Sequence, residues 1–184
     1  MQATARNHPL LATGCDHGGP PTPSRAMSEP IVPDIAGPAL VARARELARR
    51  AHAGQVDPAG RPRIEHVARV AAAVSDEAEA EAVAWLHGVL EACDADVHGN
   101  LAGFPVQVRY WVALLTRHPV QEDRDYYPPI PRSPLALRVK LAAIADQMDE
   151  SRLALLDEPT AHRLRVKYAQ ALATLRGDDP DART

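Results

Sequence analysis

From Pro38 onward, apolar residues return every third or fourth position, and the pattern breaks only at a few Pro- and Gly-rich places. Pro38 suits a first helical turn, and Leu40, Val41, Ala44, Leu47 and Ala48 continue at helical spacing to Ala51, where Gly54 ends the run. Gln55 to Arg63 contains Pro58, Gly60 and Pro62 and reads as a loop, followed by a second helix from Ile64 to Val74. Asp76 with Glu79 has the spacing of a capping box for a third helix running to Cys93, with Ala82, Val83, Leu86, Val89 and Leu90 inward. A short helix near Val97 to Ala102 precedes a clearer one, Val106 to Arg117, with Val108, Trp111, Val112 and Leu115 inward. Pro128, Pro129, Pro131 and Pro134 exclude a helix from Tyr126 to Pro134. Helix resumes from Leu135 to Met148, and Asp157 with Pro159 starts a last one reaching Leu175. The expected fold is all-α, a compact bundle of six or seven helices.

Composition agrees with that reading. Hydrophobic residues make up 46% and aromatics only 4%, with Ala, Leu, Arg and Glu favouring helix over strand. Residues 1–37 differ: Gly14 to Pro33 holds five prolines and three glycines without periodicity, so a disordered segment is expected there. Met27 lies inside it and is a candidate translation start. The helical domain is expected over 38–177, with a disordered tail over 178–184.

The net charge of −3 argues against nucleic acid or an acidic membrane as partner. Cys15 and Cys93 do not make a disulfide framework, and no apolar run has the length of a membrane span. A cytoplasmic protein that binds a small molecule or a protein partner is the expectation.

Four segments carry the chemistry: ARRAHAGQVDPAGRPRIEH (Ala48–His66), AVAWLHGVLEACD (Ala82–Asp94), LLTR (Leu114–Arg117) and LALRVKLAAIADQMD (Leu135–Asp149). In order and spacing they resemble the hydrolase domain of the RelA/SpoT-type nucleotide pyrophosphohydrolases, in the HD superfamily, over about residues 39–176. The resemblance implies a divalent cation, usually manganese, held by imidazoles and carboxylates, which would activate a water against the 3′-pyrophosphate of ppGpp-like nucleotides.

Carried over by position, the family's two metal-binding histidines correspond to His66 and His87, and one of its acidic pair to Glu91. The resemblance makes these three the candidate catalytic residues, with Arg63, Lys140 and Gln147 as substrate-binding candidates. The Asp expected after His87 is Gly88, the distant Asp is Ala143, the second acid is Ala92, and a basic residue facing substrate is Asp57. Two imidazoles alone suit a hard cation poorly. Asp146, three residues past Ala143, is the best replacement ligand beside His66 and His87, ahead of Asp94 and Asp96.

Ordinary roles compete with each of these. His66 and His87 also suit structural histidines, and His52 a packing role. Glu91, four residues past His87, fits a helix-face pair as well as an acid–base pair, and Gly88 reads as a mid-helix glycine. Arg124, Arg132, Arg138 and Lys140 suit phosphate contact or plain solvation. The expectation is a degenerate HD-domain protein without the family's hydrolysis and with no cofactor, or manganese or another divalent cation if any. The alternative is an enzyme, either a (p)ppGpp-type hydrolase with rearranged ligands or a metal-free acid–base catalyst.

Overall fold

The computed structural model describes residues 35–92 and 99–178. Residues 1–34 of the segment expected to be disordered, Met27 among them, lie outside these, as do Cys93, Asp94, Asp96 and the start of the short helix expected near Val97, of which residues 99–101 are helical; Gly37 already belongs to the first helix. Among the described residues there is no strand, only an isolated bridge between Val56 and Pro62, and six helices have nine residues or more. The all-α bundle is therefore as expected. No helix among them is long and apolar enough to cross a membrane.

The helices are α1 (Gly37–Ala51), α2 (Arg63–Ala72), α3 (Ala78–Leu86), α4 (Val106–Leu115), α5 (Asp123–Tyr126), α6 (Pro134–Gln147), α7 (Glu150–Leu153) and α8 (Glu158–Arg176). Helix α3 is apolar on nearly every side, with Ala80 and Ala82 to Leu86 all buried. Such a helix has no face to give to water and takes the middle of the bundle. It packs against α1, α2, α4 and α6. Helix α1 turns Leu40, Val41, Ala44, Leu47 and Ala48 inward on one stripe.

Two expectations about α3 are overturned. Its N-cap residue is Glu77 and no side chain caps it, so the capping box of Asp76 and Glu79 does not form. Asp76 and Glu77 instead hold the guanidinium of Arg138 on α6. The helix also stops at Leu86, not Cys93: His87 is extended, Gly88 has φ +82°, and Val89–Ala92 form a 3₁₀ turn. Gly88 is thus no mid-helix glycine. It reverses the chain in the left-handed region, where any side chain is strained, and a Cβ would stand 3.1 Å from Arg63 Nη2. His87 and Glu91 consequently do not share a helical face.

The proline-rich stretch also differs in detail, since α5 ends on Tyr126 and Ile130–Arg132 form a 3₁₀ turn. Tyr126 is buried and its hydroxyl donates to the carbonyl of Leu115 at 2.6 Å, satisfying an orphaned acceptor at the end of α4. Ser133, Asp149 and Asp157 cap α6, α7 and α8 through their side chains.

A cap and a failed cap make a direct comparison. Asp157→Ala should lower the melting temperature by ~3 °C, whereas Asp76→Ala should move it by less than ~1 °C. Calorimetric melts of the two variants beside the parent measure both, and equal losses would count against the assignment.

Candidate functional site

The loop between α1 and α2 is built around Asp57. Its Oδ1 accepts from the backbone N–H of Ala59 at 2.9 Å and of Arg61 at 3.0 Å, and its Oδ2 accepts from Arg152 at 2.9 Å. Behind the loop, His52 is buried and donates through Nδ1 to Gln55 Oε1 at 2.9 Å. Its other nitrogen is buried without a partner, and burial holds its pKa below the usual range, so the ring stays neutral. His52 is a packing residue.

A cavity of about 730 Å³ opens between this loop, the break after α3, and helices α6 to α8. His66, His87, Glu91, Arg63, Lys140 and Gln147 all line it. Lys140, Ala143 and Gln147 do so from one face of α6, at spacings of three and four residues. Six residues drawn from three separate segments therefore meet as the motifs imply.

At the cavity floor the two imidazoles meet edge to face, with Nε2 atoms 3.3 Å apart. Hydrogen bonding fixes their tautomers. His87 Nδ1 lies 2.5 Å from the Ala84 carbonyl, which only accepts, so that nitrogen carries the proton. His66 Nδ1 donates to Asp146 Oδ2 at 2.6 Å. In the neutral rings both Nε2 atoms are bare and face each other, with the Gln147 amide 3.4 Å from that of His66. Burial first, and the neighbouring His66 second, push the pKa of His87 down to about 3. His87 is uncharged at neutral pH.

Asp146 is not a companion ligand of this pair. Its carboxylate lies on the Nδ1 side of His66, away from the Nε2 atoms, and its second oxygen accepts from Arg69 Nε at 2.5 Å. Arg152 Nε stands 3.6 Å from it. Burial works against its charge, but the hydrogen bonds from His66 and Arg69 outweigh that and hold its pKa well below the carboxylate range. Among the described residues no group of three or more His, Cys, Asp and Glu could hold a metal ion. Ala143 and Gly88 add no donor, and Glu91 Oε2 accepts from Arg63 at 3.1 Å. Two nitrogens without a carboxylate do not fit a hard divalent cation.

Other lining residues escaped the motif reading. Three of the four tyrosines, Tyr126, Tyr127 and Tyr168, line the cavity with Lys167 and Arg117. Leu164, Lys167 and Tyr168 share one face of α8 by their spacing, which was the available signal. Lys140 donates to the Tyr126 hydroxyl at 2.9 Å and lies over the rings of Tyr126 and Tyr127, 4.7 and 5.6 Å from their centroids. Burial pushes its pKa down to about 8; Glu91 opposes the shift, and Lys167 and Arg117 add to it. The Tyr168 hydroxyl is pushed up to about 12, chiefly by burial. Three arginines considered as phosphate contacts lie elsewhere. Arg138 pairs with Asp76 and Glu77, Arg124 pairs with Glu122, and Arg132 lines a second, shallower hollow. The chain matches no family model and no curated protein.

Asp146→Asn should cost about 3 kcal/mol at pH 7, because His66 and Arg69 lose a buried charged acceptor. The folded-state pKa of Asp146 lies below the ordinary 3.8, so its contribution is full above that value and is lost as the pH falls through the folded one. His87, with its lowered value, drains stability from both proteins as the pH falls from 6.5 towards 3. Urea unfolding from pH 7 to pH 2.5 should show a steady difference between parent and variant that narrows only below about pH 4. A difference unchanged at the acid end would show that Asp146 does not act through its charge.

Proposed function

We propose that this chain is a degenerate HD-domain protein of the RelA/SpoT type that has lost metal-dependent pyrophosphohydrolysis and binds a small molecule in the former catalytic pocket. One observation carries the reading. Of the family's metal site the described residues offer two imidazoles, and the carboxylates near them are engaged, Asp146 on the outer nitrogen of His66 and on Arg69, and Glu91 on Arg63. The pocket around them is nonetheless kept open and lined with Arg63, Lys140, Gln147 and three tyrosines. A site abandoned altogether would be expected to fill with apolar side chains, since interiors close-pack.

A second reading has its own observation in favour. A carboxylate on Nδ1 orients His66, which lines the cavity. That arrangement suits a metal-free general base acting on a bound substrate, with His87 and Glu91 beside it. Hydrolysis of (p)ppGpp through rearranged metal ligands is the third alternative, and the donor set speaks against it.

Metal content and turnover separate these readings. Protein prepared with manganese should retain far less than one equivalent after dialysis and should release no pyrophosphate from ppGpp above buffer. The double variant Gly88→Asp, Ala143→Asp should gain manganese affinity in calorimetric titration, since it restores two carboxylates to the family's positions. Stoichiometric metal in the parent, or manganese-dependent release abolished by His87→Ala, would overturn the proposal. Because a side chain at Gly88 is strained, Ala143→Asp alone serves beside it, and no gain in either variant, each keeping the parent's melting temperature, would overturn the family placement of the two positions.

A further inference from the structure

The walls of the cavity are chemically unlike. Lys140 and Lys167 both line it, close enough for Lys167 to bear on the charge of Lys140. Among the described residues neither has a carboxylate within ion-pair distance, whereas Arg117, Arg63 and Arg152 are each matched, by Asp123, Glu91 and Asp57. A half-buried or buried ammonium without a counterion is costly, and here two are held beside each other. Lys140 is also tied to the Tyr126 hydroxyl, which donates to the Leu115 carbonyl, and Lys167 lies 5.5 Å from the Tyr168 ring centroid. Two neighbouring positive charges without an ion-paired carboxylate suit one dianion.

Beside these cations the lining is aliphatic. Leu153 on α7, Leu155 and Leu156 in the following turn, and Leu164 on α8 all line the cavity. Leu155 remains 51% exposed at the rim, an apolar surface with nothing over it among the described residues. A nucleoside would set its sugar hydroxyls against these leucines, which offer no hydrogen bond in return.

We infer that the cavity takes an aliphatic phosphate monoester, its phosphate between Lys140 and Lys167 and its hydrocarbon chain against Leu153, Leu155, Leu156 and Leu164. The inference rests on the small-molecule reading and narrows it to an amphipathic dianion. The phosphate supplies the counterion that both lysines lack, and its arrival favours the protonated form of Lys140. The chain covers the leucines and removes them from water.

Calorimetric titration at pH 7 with hexyl phosphate, inorganic phosphate, hexanol and guanosine monophosphate tests this. Each buried methylene contributes about fourfold to affinity, so hexyl phosphate should bind at least about tenfold more tightly than inorganic phosphate even with its chain only partly covered. Hexanol should bind more weakly than hexyl phosphate by a similar factor, and guanosine monophosphate should not outcompete it. Lys140→Met and Leu156→Asn should each weaken hexyl phosphate by about tenfold, with Lys167→Met, at a partly exposed position, serving where Lys140→Met does not fold. Equal affinity for hexyl and inorganic phosphate, tighter binding of the nucleotide, or indifference to both lysine variants would overturn the inference. Those results leave the metal content of the parent untouched, so the failure of this inference is distinguishable from failure of the pseudoenzyme reading.

Discussion

Asp146 is asked to satisfy more of its surroundings than any other side chain of the site. Its carboxylate sits on α6, accepts one hydrogen bond from His66 and another from Arg69 on α2, and draws Arg152 in from α7. Arg152 in turn reaches Asp57 and holds the loop that forms the cavity's rim. Three helices and a loop thus share one buried charge. Such a network stabilises only while every member is present, since removing the anion leaves buried donors facing nothing. The orientation of His66, and with it the cavity floor, follows from that constraint.

The break after α3 is the second requirement of the same floor. Had the helix continued through Gly88, His87 would keep its amide in the helical ladder and its ring would follow the α3 surface. Instead His87 is extended, and its Nδ1 hydrogen-bonds back to Ala84. That bond fixes the ring's tautomer and aims the bare Nε2 at His66. Gly88 has a backbone role at this point, and its lack of a side chain also leaves room for the Arg63 guanidinium that accompanies Glu91.

Local chemistry explains which elements were legible in the sequence. The start of α8 was readable because Pro159 suits a first turn and Asp157 binds the free amide beside it, whereas Pro134, counted among the prolines that break the preceding stretch, is itself the first residue of α6. The end of α3 was not readable, because Val89 and Leu90 extend the apolar period past a glycine that looks tolerable within a helix. The start of α3 was misread for a tertiary reason. Asp76 and Glu77 are recruited by Arg138, some sixty residues away, and an ion pair at that separation leaves no mark on local spacing. The site itself was half legible. Motif order brought His66, His87, Glu91, Arg63, Lys140 and Gln147 to one cavity, but the side of His66 that Asp146 occupies depends on ring orientation, which spacing does not encode.

The contrast between Asp146 and Lys140 bears on what the pocket is for. Both are charged groups removed from water on the same helix, and the surroundings treat them oppositely. Asp146 is matched by two or three cations and needs nothing further. Lys140 is given an aromatic hydroxyl and two ring faces, partners that steady an ammonium without neutralising it. A fold able to match one buried charge so fully has left the other, together with Lys167, open on the cavity side. Structural requirements alone account for the first. The second is the expected form of a site whose counterion arrives from solution, and it accounts for an open cavity over a floor whose donors do not fit a hard divalent cation.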